Sequence, residues 1–273
     1  MVNENINFKV DESKCTKCGL CVKDCPMSII KMDNYPEIIL DAMPCILCEH
    51  CLAICPTGAV SILEDCANNF ADISKFDINP DELKKMIISR RSIRQYKNEN
   101  VDKNMIKDLC ETALHAPTAR NAINTLLTVI DDKEKMDKFR DKFYENFYKM
   151  DFKGTFLESY ASAMKKAKDG GRDKLFAGAP HIIVASAPIE GANIASDPVI
   201  ILSYFELLAV SNGLGTLWDG IVTFLLNEFM PEFKDYLKIP KDHKVGYVMV
   251  FGKPSIKYHR GVRRNLTNIN ILD

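Results

Sequence analysis

Eight of the ten cysteines fall within the first 55 residues, in two runs of the same form: CTKCGLCVKDCP from Cys15 to Pro26 and CILCEHCLAICP from Cys45 to Pro56. Both read CxxCxxCxxxCP. Each cysteine recurs thirty residues on, pairing Cys15 with Cys45, Cys18 with Cys48, Cys21 with Cys51 and Cys25 with Cys55, which marks an internal duplication. Three thiolates spaced two residues apart can wrap three iron corners of a cubane. A fourth, sent onward by its proline, can reach a neighbouring cluster. A zinc site would ask for two separated CxxC pairs around one tetrahedral ion, whereas here triplets carry a fourth cysteine and a proline, twice. Iron and sulfur explain the pattern better than zinc.

The segment closely resembles bacterial 2[4Fe-4S] ferredoxins. The resemblance implies that Cys15, Cys18, Cys21 and Cys55 hold one cluster and that Cys45, Cys48, Cys51 and Cys25 hold the second. So short a module has little apolar surface of its own, so the metal centres are expected to staple it, and removing iron should unfold it. His50 lies between two ligand cysteines and is read as solvated, because four thiolates already fill each cluster. Cys66 and Cys110 lie outside the repeat and read as small buried hydrophobes with no assigned role.

The elements around these residues divide the chain. AVSILED, after Gly58, reads as the closing strand of the small module, and CANNFADISKFDINP then loses periodicity and collects Asn, Asp and Pro. The expected organisation is a ferredoxin domain at 1–66, a linker at 67–79 and a larger domain at 80–273. Lys plus Arg (36) nearly cancels Asp plus Glu (37), so no global field draws the chain to nucleic acid or to an anionic membrane. The opening MVNENINFKV lacks the form of a signal peptide and no charge-free apolar run is long enough to span a bilayer, so a cytoplasmic protein is expected.

In the larger domain, Asn79 before Pro80, Asp81 and Glu82 signals a helix start, with Leu83, Met86 and Ile87 as its apolar stripe. That helix runs into SRRSIRQY, which puts the guanidinium groups of Arg90, Arg91 and Arg94 and the hydroxyl of Ser92 within a turn of each other. Such a group suits a phosphate, since guanidinium forks grip phosphate oxygens in pairs. A basic helix end complementing the helix dipole explains the same residues. A second helix starts at Asp102, buries Met105, Ile106 and Leu109 and ends before Pro117, and APTARN then leads through a loop into a strand.

RRSIRQY, a helix, and APTARN before a strand together resemble the FMN-binding opening of the nitroreductase family. The family usually has Ser where Thr118 stands and Gln-Pro near Ile123 and Asn124; Ile123 removes one polar contact. The resemblance implies a hydroxyl from Thr118 and an amide from Asn121 for the flavin. It also aligns Leu217, Trp218, Asp219 and Gly220 with the segment along the isoalloxazine ring. Arg260 and Arg264 align with late basic residues that reach the same phosphate as Arg90, Arg91, Ser92 and Arg94. Without it, Trp218 reads equally as a core or interface aromatic, and KYHRGVRRN as a solvated basic turn.

Between Asp131 and Lys174, charges alternate with Phe139, Phe143, Tyr144, Phe147, Tyr148, Phe152, Phe156 and Tyr160. The stretch reads as helical, mostly ordinary packing, though the family's variable region here covers the active site. FAGAPHIIVASAP reads as a strand, Ser196 as the cap of a long buried helix ended by Gly213, Leu225 to Leu237 as one amphipathic helix and KVGYVMVFGKP as a central strand. GLGT follows a helix and does not match GxGxxG, so a dinucleotide-binding fold is rejected. The fold class expected is therefore α+β: a small 2[4Fe-4S] ferredoxin-type domain followed by a nitroreductase-like domain with a central mixed β-sheet flanked by helices.

The functional expectation is an oxidoreductase that passes electrons from two [4Fe-4S] clusters to FMN and on to an electron-poor acceptor such as a nitroaromatic or a quinone. The flavin N5 does the chemistry, and no catalytic side chain is assigned. The electron donor would be a ferredoxin or its reductase, and the resemblance implies a homodimer. Two alternatives stay open: reduction by NAD(P)H with electrons leaving through the clusters to a protein partner, and a non-catalytic redox sensor.

Overall fold

The computed structural model describes residue 3 and residues 6–73, 75–191, 193–262 and 268–272. The chain divides into two compact units, the first formed by Met1–Ile78 with Arg120–Ala122, the second by Asn79–Ala119 with Ile123–Asp273.

In the first unit, β1 (Lys9–Val10), β4 (Val60–Ile62) and β5 (Asp65–Cys66) form a small antiparallel sheet. The strands β2 (Ile30–Met32) and β3 (Pro36–Ile38) form an antiparallel pair. Two short helices, α1 (Leu20–Asp24) and α2 (His50–Ala53), carry the middle of each cysteine run. The duplication seen in sequence thus recurs in the backbone. Ile29, Ile30, Leu52, Val60 and Ile62 pack with Cys21 and Cys51 in one small core, and so few apolar side chains stabilise a fold only modestly.

The second unit is built on a four-stranded sheet in the order β6-β7-β9-β8. In chain order its elements are α3 (Pro80–Ser89), α4 (Lys103–Ala113), β6 (Leu126–Ile130), α5 (Lys133–Lys149), α6 (Glu158–Asp169), β7 (His181–Pro188), α7 (Asp197–Ser211), β8 (Gly215–Trp218), α8 (Gly220–Glu228), α9 (Glu232–Tyr236) and β9 (His243–Gly252). Named strands pair antiparallel, and a parallel bridge between Ser92 and Thr216 adds the mixed component at the outer side of β8. The two inner strands are apolar at nearly every position because both faces are covered. Ile182, Val184, Val248 and Val250 enter the core formed with α5, α6, α8 and α9, whereas Ile183, Ala185, Met249 and Phe251 enter the core formed with α4 and α7.

Most of the aromatic run packs as core: Phe139, Phe143, Tyr144, Phe147 and Phe152 are buried, whereas Phe156 and Tyr160 are exposed. Two expectations are corrected. Helix α3 forms where its Asn79 cap predicts, with the Asn79 side chain accepting from the N–H groups of Asp81 and Glu82, but its stripe stays open, with Leu83 and Ile87 exposed. The helix expected from Leu225 to Leu237 is two helices, α8 and α9. Pro231 has no N–H to continue α8 and restricts the residue before it, so the chain turns at Met230. Ser196 takes the N-cap position of α7 without a side-chain bond, and Asp197 instead turns its carboxylate to the Ala119 N–H at 3.2 Å.

Candidate functional site

The eight repeat cysteines are free thiols and gather as two sets. One void is lined by Cys15, Cys18, Cys21 and Cys55, with Gly19, Pro36 and Val60 closing it. The last cysteine of the second run thus joins the first three of the first run. Cys45 lies within electrostatic reach of Cys48 and Cys25: burial raises its thiol most, the Leu47 N–H opposes that, and Cys48 and Cys25 add to the rise. Burial also pushes Cys51 up to about 12, so a neutral thiol is favoured there until a metal compensates the thiolate. At Cys55 burial acts upward too, but N–H groups of Thr57, Ala59 and Val60 outweigh it and hold the thiol below its ordinary value. Among the described residues no three His, Cys, Asp or Glu side chains converge on a single ion. Sulfurs spread around a void fit a cubane better than a point ligand.

Backbone strain shapes both runs alike. Lys17 and Leu47, at matching positions, have φ of 57° and 53°, and Gly19 and Glu49 have φ of 72° and 57°. Each non-glycine residue in that left-handed region costs about 1–2 kcal/mol. In the second run this turn aims the Leu47 N–H at Cys45 Sγ at 3.4 Å, and beyond the run the Ala59 N–H points to Cys55 Sγ at 3.2 Å. His50, as expected of a solvated residue, is exposed and pairs with Asp24 at 3.2 Å. Cys66 is half-buried, its Sγ 3.6 Å from Asn69 Oδ1. Burial raises Cys110 to about 11, the behaviour of an inert packed thiol.

In the second unit, the phosphate-like cluster lies along the outer side of β8. Helix α3 stops at Ser89, and residues 92–93 run beside β8, with Ile93 N–H donating to the Thr216 carbonyl at 2.9 Å. Gly215 permits that approach, since a Cβ there would sit 2.4 Å from Ile93 Cγ1. Arg90 donates to Glu206 Oε1 at 3.1 Å, and the Thr216 hydroxyl donates to the same oxygen at 3.0 Å. Arg90 is therefore half neutralised and positioned by its carboxylate, while Arg91 and Ser92 remain half-buried and Arg94 exposed. The late basic segment reaches the same place: Arg91 lies over the Tyr258 ring at 5.8 Å, and a Cβ on Gly261 would meet Ile88 Cγ2 at 3.4 Å. Arg260 is exposed beside them. Arg264 lies outside the described residues.

Strand β8 then delivers residues 217–220. Leu217 and Trp218 are half-buried, Trp218 edge-on to Tyr247 with ring centroids 5.1 Å apart, and Gly220 is exposed. A Cβ at Gly220 would press on the Tyr247 hydroxyl at 2.9 Å. The Asp219 side chain turns inward: Oδ1 accepts from Val222 N–H at 3.0 Å and caps α8, and buried Oδ2 has no hydrogen-bond partner. Burial pushes this carboxyl up to about 7, with Asp173 adding a like charge. Among the expected flavin contacts, Thr118 accepts from Ile123 N–H at 3.1 Å and closes its loop. Asn121 departs from expectation: it groups with the first unit, and its amide is spent on the Ile46 and Leu47 carbonyls at 3.2 and 2.9 Å. Sequence reasoning missed Glu206 and Tyr258 as partners of the arginines, because their contacts span long separations with no local spacing to mark them.

Residues 87–253 match the nitroreductase family model, more than half of the chain. The chain belongs to the nitroreductase family. Residues 14–60 of the chain match a 4Fe-4S dicluster domain. Its fold is similar to that of a nitroreductase with bound FMN from Desulfitobacterium hafniense DCB-2, at 24% identity and TM-score 0.58 over 72% of this chain and 100% of that one. A nitroreductase with bound FMN from Bacteroides fragilis NCTC 9343 is similar at 17% identity and TM-score 0.57, over 70% and 99%. The cysteine-bearing end is similar to a methylamine utilization ferredoxin-type protein of Methylobacillus flagellatus, 35% identical over 77 residues. That match takes in 24% of this chain and spans only 30% of the relative's length.

Proposed function

We propose that this protein passes electrons from two [4Fe-4S] clusters to FMN and on to an electron-poor organic acceptor, a nitroaromatic, a quinone or a related conjugated molecule. The observation that carries this reading is the presence in one chain of a 4Fe-4S dicluster domain and a nitroreductase domain. Clusters supply single electrons, and FMN gathers them for two-electron delivery at N5. Cys15, Cys18, Cys21 and Cys55 would hold one cluster, and Cys45, Cys48, Cys51 and Cys25 the other. Arg91, Arg94 and Arg260, with Ser92 and the Glu206-held Arg90, would grip the FMN phosphate by charge-assisted hydrogen bonds. The exposed Gly220, with Leu217 and Trp218 beside it and the Tyr247 hydroxyl close by, would lie along the ring, while Asp219 fixes the turn from inside. Thr118 orders the neighbouring loop.

The domain limits proposed are 1–66 and 80–273 with a linker between. A homodimer is in keeping with family membership and would cover Leu83, Ile87 and Ile88 of α3, which are exposed in the single chain. Among the described residues no helix is long and apolar enough to cross a membrane. A cytoplasmic setting with reduced ferredoxin or its reductase as donor fits free thiolate ligands.

The test mixes the whole reconstituted protein anaerobically with reduced ferredoxin or with NAD(P)H, separately, and follows flavin absorbance. Reduced ferredoxin should bleach the flavin quickly, and a nitroaromatic or quinone should restore it through many turnovers. Fast bleaching by NAD(P)H alone would reverse the proposed electron flow. A reduced flavin that no such acceptor reoxidises would rule out the reductase reading.

A further inference from the structure

The Asn121 side chain lies on the peptide that joins Ile46 to Leu47, between two cysteines of the second run. Its amide donates to the Ile46 carbonyl at 3.2 Å and to the Leu47 carbonyl at 2.9 Å. The other end of the Ile46–Leu47 peptide is the Leu47 N–H, which points to Cys45 Sγ at 3.4 Å. Carbonyl and N–H lie on opposite sides of a trans peptide, so holding the oxygen fixes the direction of the hydrogen. A donor on the oxygen also polarises the peptide and strengthens the bond its N–H makes. Leu47 needs such support, since at φ 53° it occupies backbone space that a leucine disfavours.

The arrangement is not repeated in the other half of the duplication. Lys17 has the same left-handed backbone as Leu47, but among the described residues no side-chain amide donates to the Thr16 or Lys17 carbonyls. Asn121 sits far along the sequence from the cysteines and groups structurally with them. It therefore distinguishes two sites that the repeat alone leaves alike.

We propose that Asn121 is a positioning residue of the second cluster, the one held by Cys45, Cys48, Cys51 and Cys25, where it sets the Leu47 N–H to Cys45 Sγ hydrogen bond and so raises that cluster's reduction potential relative to the first. This rests on the two-cluster reading above. Hydrogen bonds to cluster sulfurs stabilise the more negative reduced state, so weakening one lowers the potential. The residue acts through the peptide and touches neither sulfur nor iron in this account.

The test is a potentiometric titration of the full anaerobically reconstituted chain, followed by electron paramagnetic resonance. The parent is compared with Asn121→Asp, which is nearly isosteric but turns an acceptor to the two carbonyls, and Asn121→Ala. Both variants should keep the parent's iron and FMN content. Each should show one of the two cluster midpoints moved to lower potential and the other unmoved, with the larger displacement in Asn121→Asp. Two midpoints that stay in place, or that move together, would overturn the proposal. Loss of FMN with both midpoints unchanged would overturn it as well and return Asn121 to the flavin. A parent that takes up only one cluster would fail before any variant is compared, and that outcome removes the two-cluster reading together with this inference.

Discussion

Asp219 shows how a residue aligned with the cofactor segment acts through the fold. Its carboxyl titrates near 7 in the folded chain against 3.8 unhindered, because burial penalises the charged form. Between those values the folded protein keeps a proton that the unfolded chain has released, so stability falls as pH rises through this window and the cost is complete above it. Asn at this position preserves a good helix cap and cannot ionise. Thermal unfolding of Asp219→Asn across pH 5 to 8 should show a gain over the parent that grows with pH; parallel profiles would contradict it. At this scale the iron–sulfur character of the cysteine runs was legible, because it is written as spacing along the chain, and residues 14–60 match a 4Fe-4S dicluster domain. The side-chain direction of Asp219 and the partners of Asn121 were not. Both depend on where distant backbone lies, which no local pattern encodes.

Among the elements, β8 does most to assemble the residues proposed for the flavin. It carries Leu217 and Trp218 to Asp219 and Gly220, receives the 92–93 segment on its outer side and brings Thr216 to the carboxylate that holds Arg90. Gly215 makes this possible, since any Cβ would collide with the β-branched Ile93 near its root. Gly215→Ala should cost about 1–3 kcal/mol of stability by overpacking. It should also weaken FMN retention, because the arginine segment is pushed off the strand. Denaturant unfolding and flavin titration check the two effects, and a variant that loses neither would show that the segment is not held by this contact. The inner strands β7 and β9 were readable, the first as a β-rich run behind a Gly-Ala-Pro turn and the second from its alternating hydrophobes. The break between α8 and α9 was not, because the apolar spacing runs through Pro231 as if the helix continued. The apolar stripe of α3 was legible as spacing, but whether it is covered is not written in that spacing, and Leu83, Ile87 and Ile88 are exposed.

Over the whole molecule, the two units rest on different physics. The second has two apolar cores on either side of a sheet, whereas the first packs a handful of aliphatic side chains around its cysteines. Iron removal should therefore unfold the first unit selectively. After anaerobic chelation, proteolysis should cut within residues 1–78 and leave a resistant fragment containing 80–252; equal resistance of both units would contradict a metal-stapled module. The loss of periodicity after Cys66 led to a linker being expected at 67–79, whereas the first unit runs on to Ile78 and takes in Arg120–Ala122. The exchange of Cys25 and Cys55 between the halves came from the ferredoxin resemblance and matches the void that Cys55 shares with the first run. The central claim, one chain holding both an iron–sulfur relay and a flavin, is tested most directly by iron, sulfide and flavin analysis of protein purified without air, together with its absorbance spectrum. About eight irons, as many sulfides and one FMN per chain are expected; zinc in place of iron, or iron without flavin, would contradict that claim.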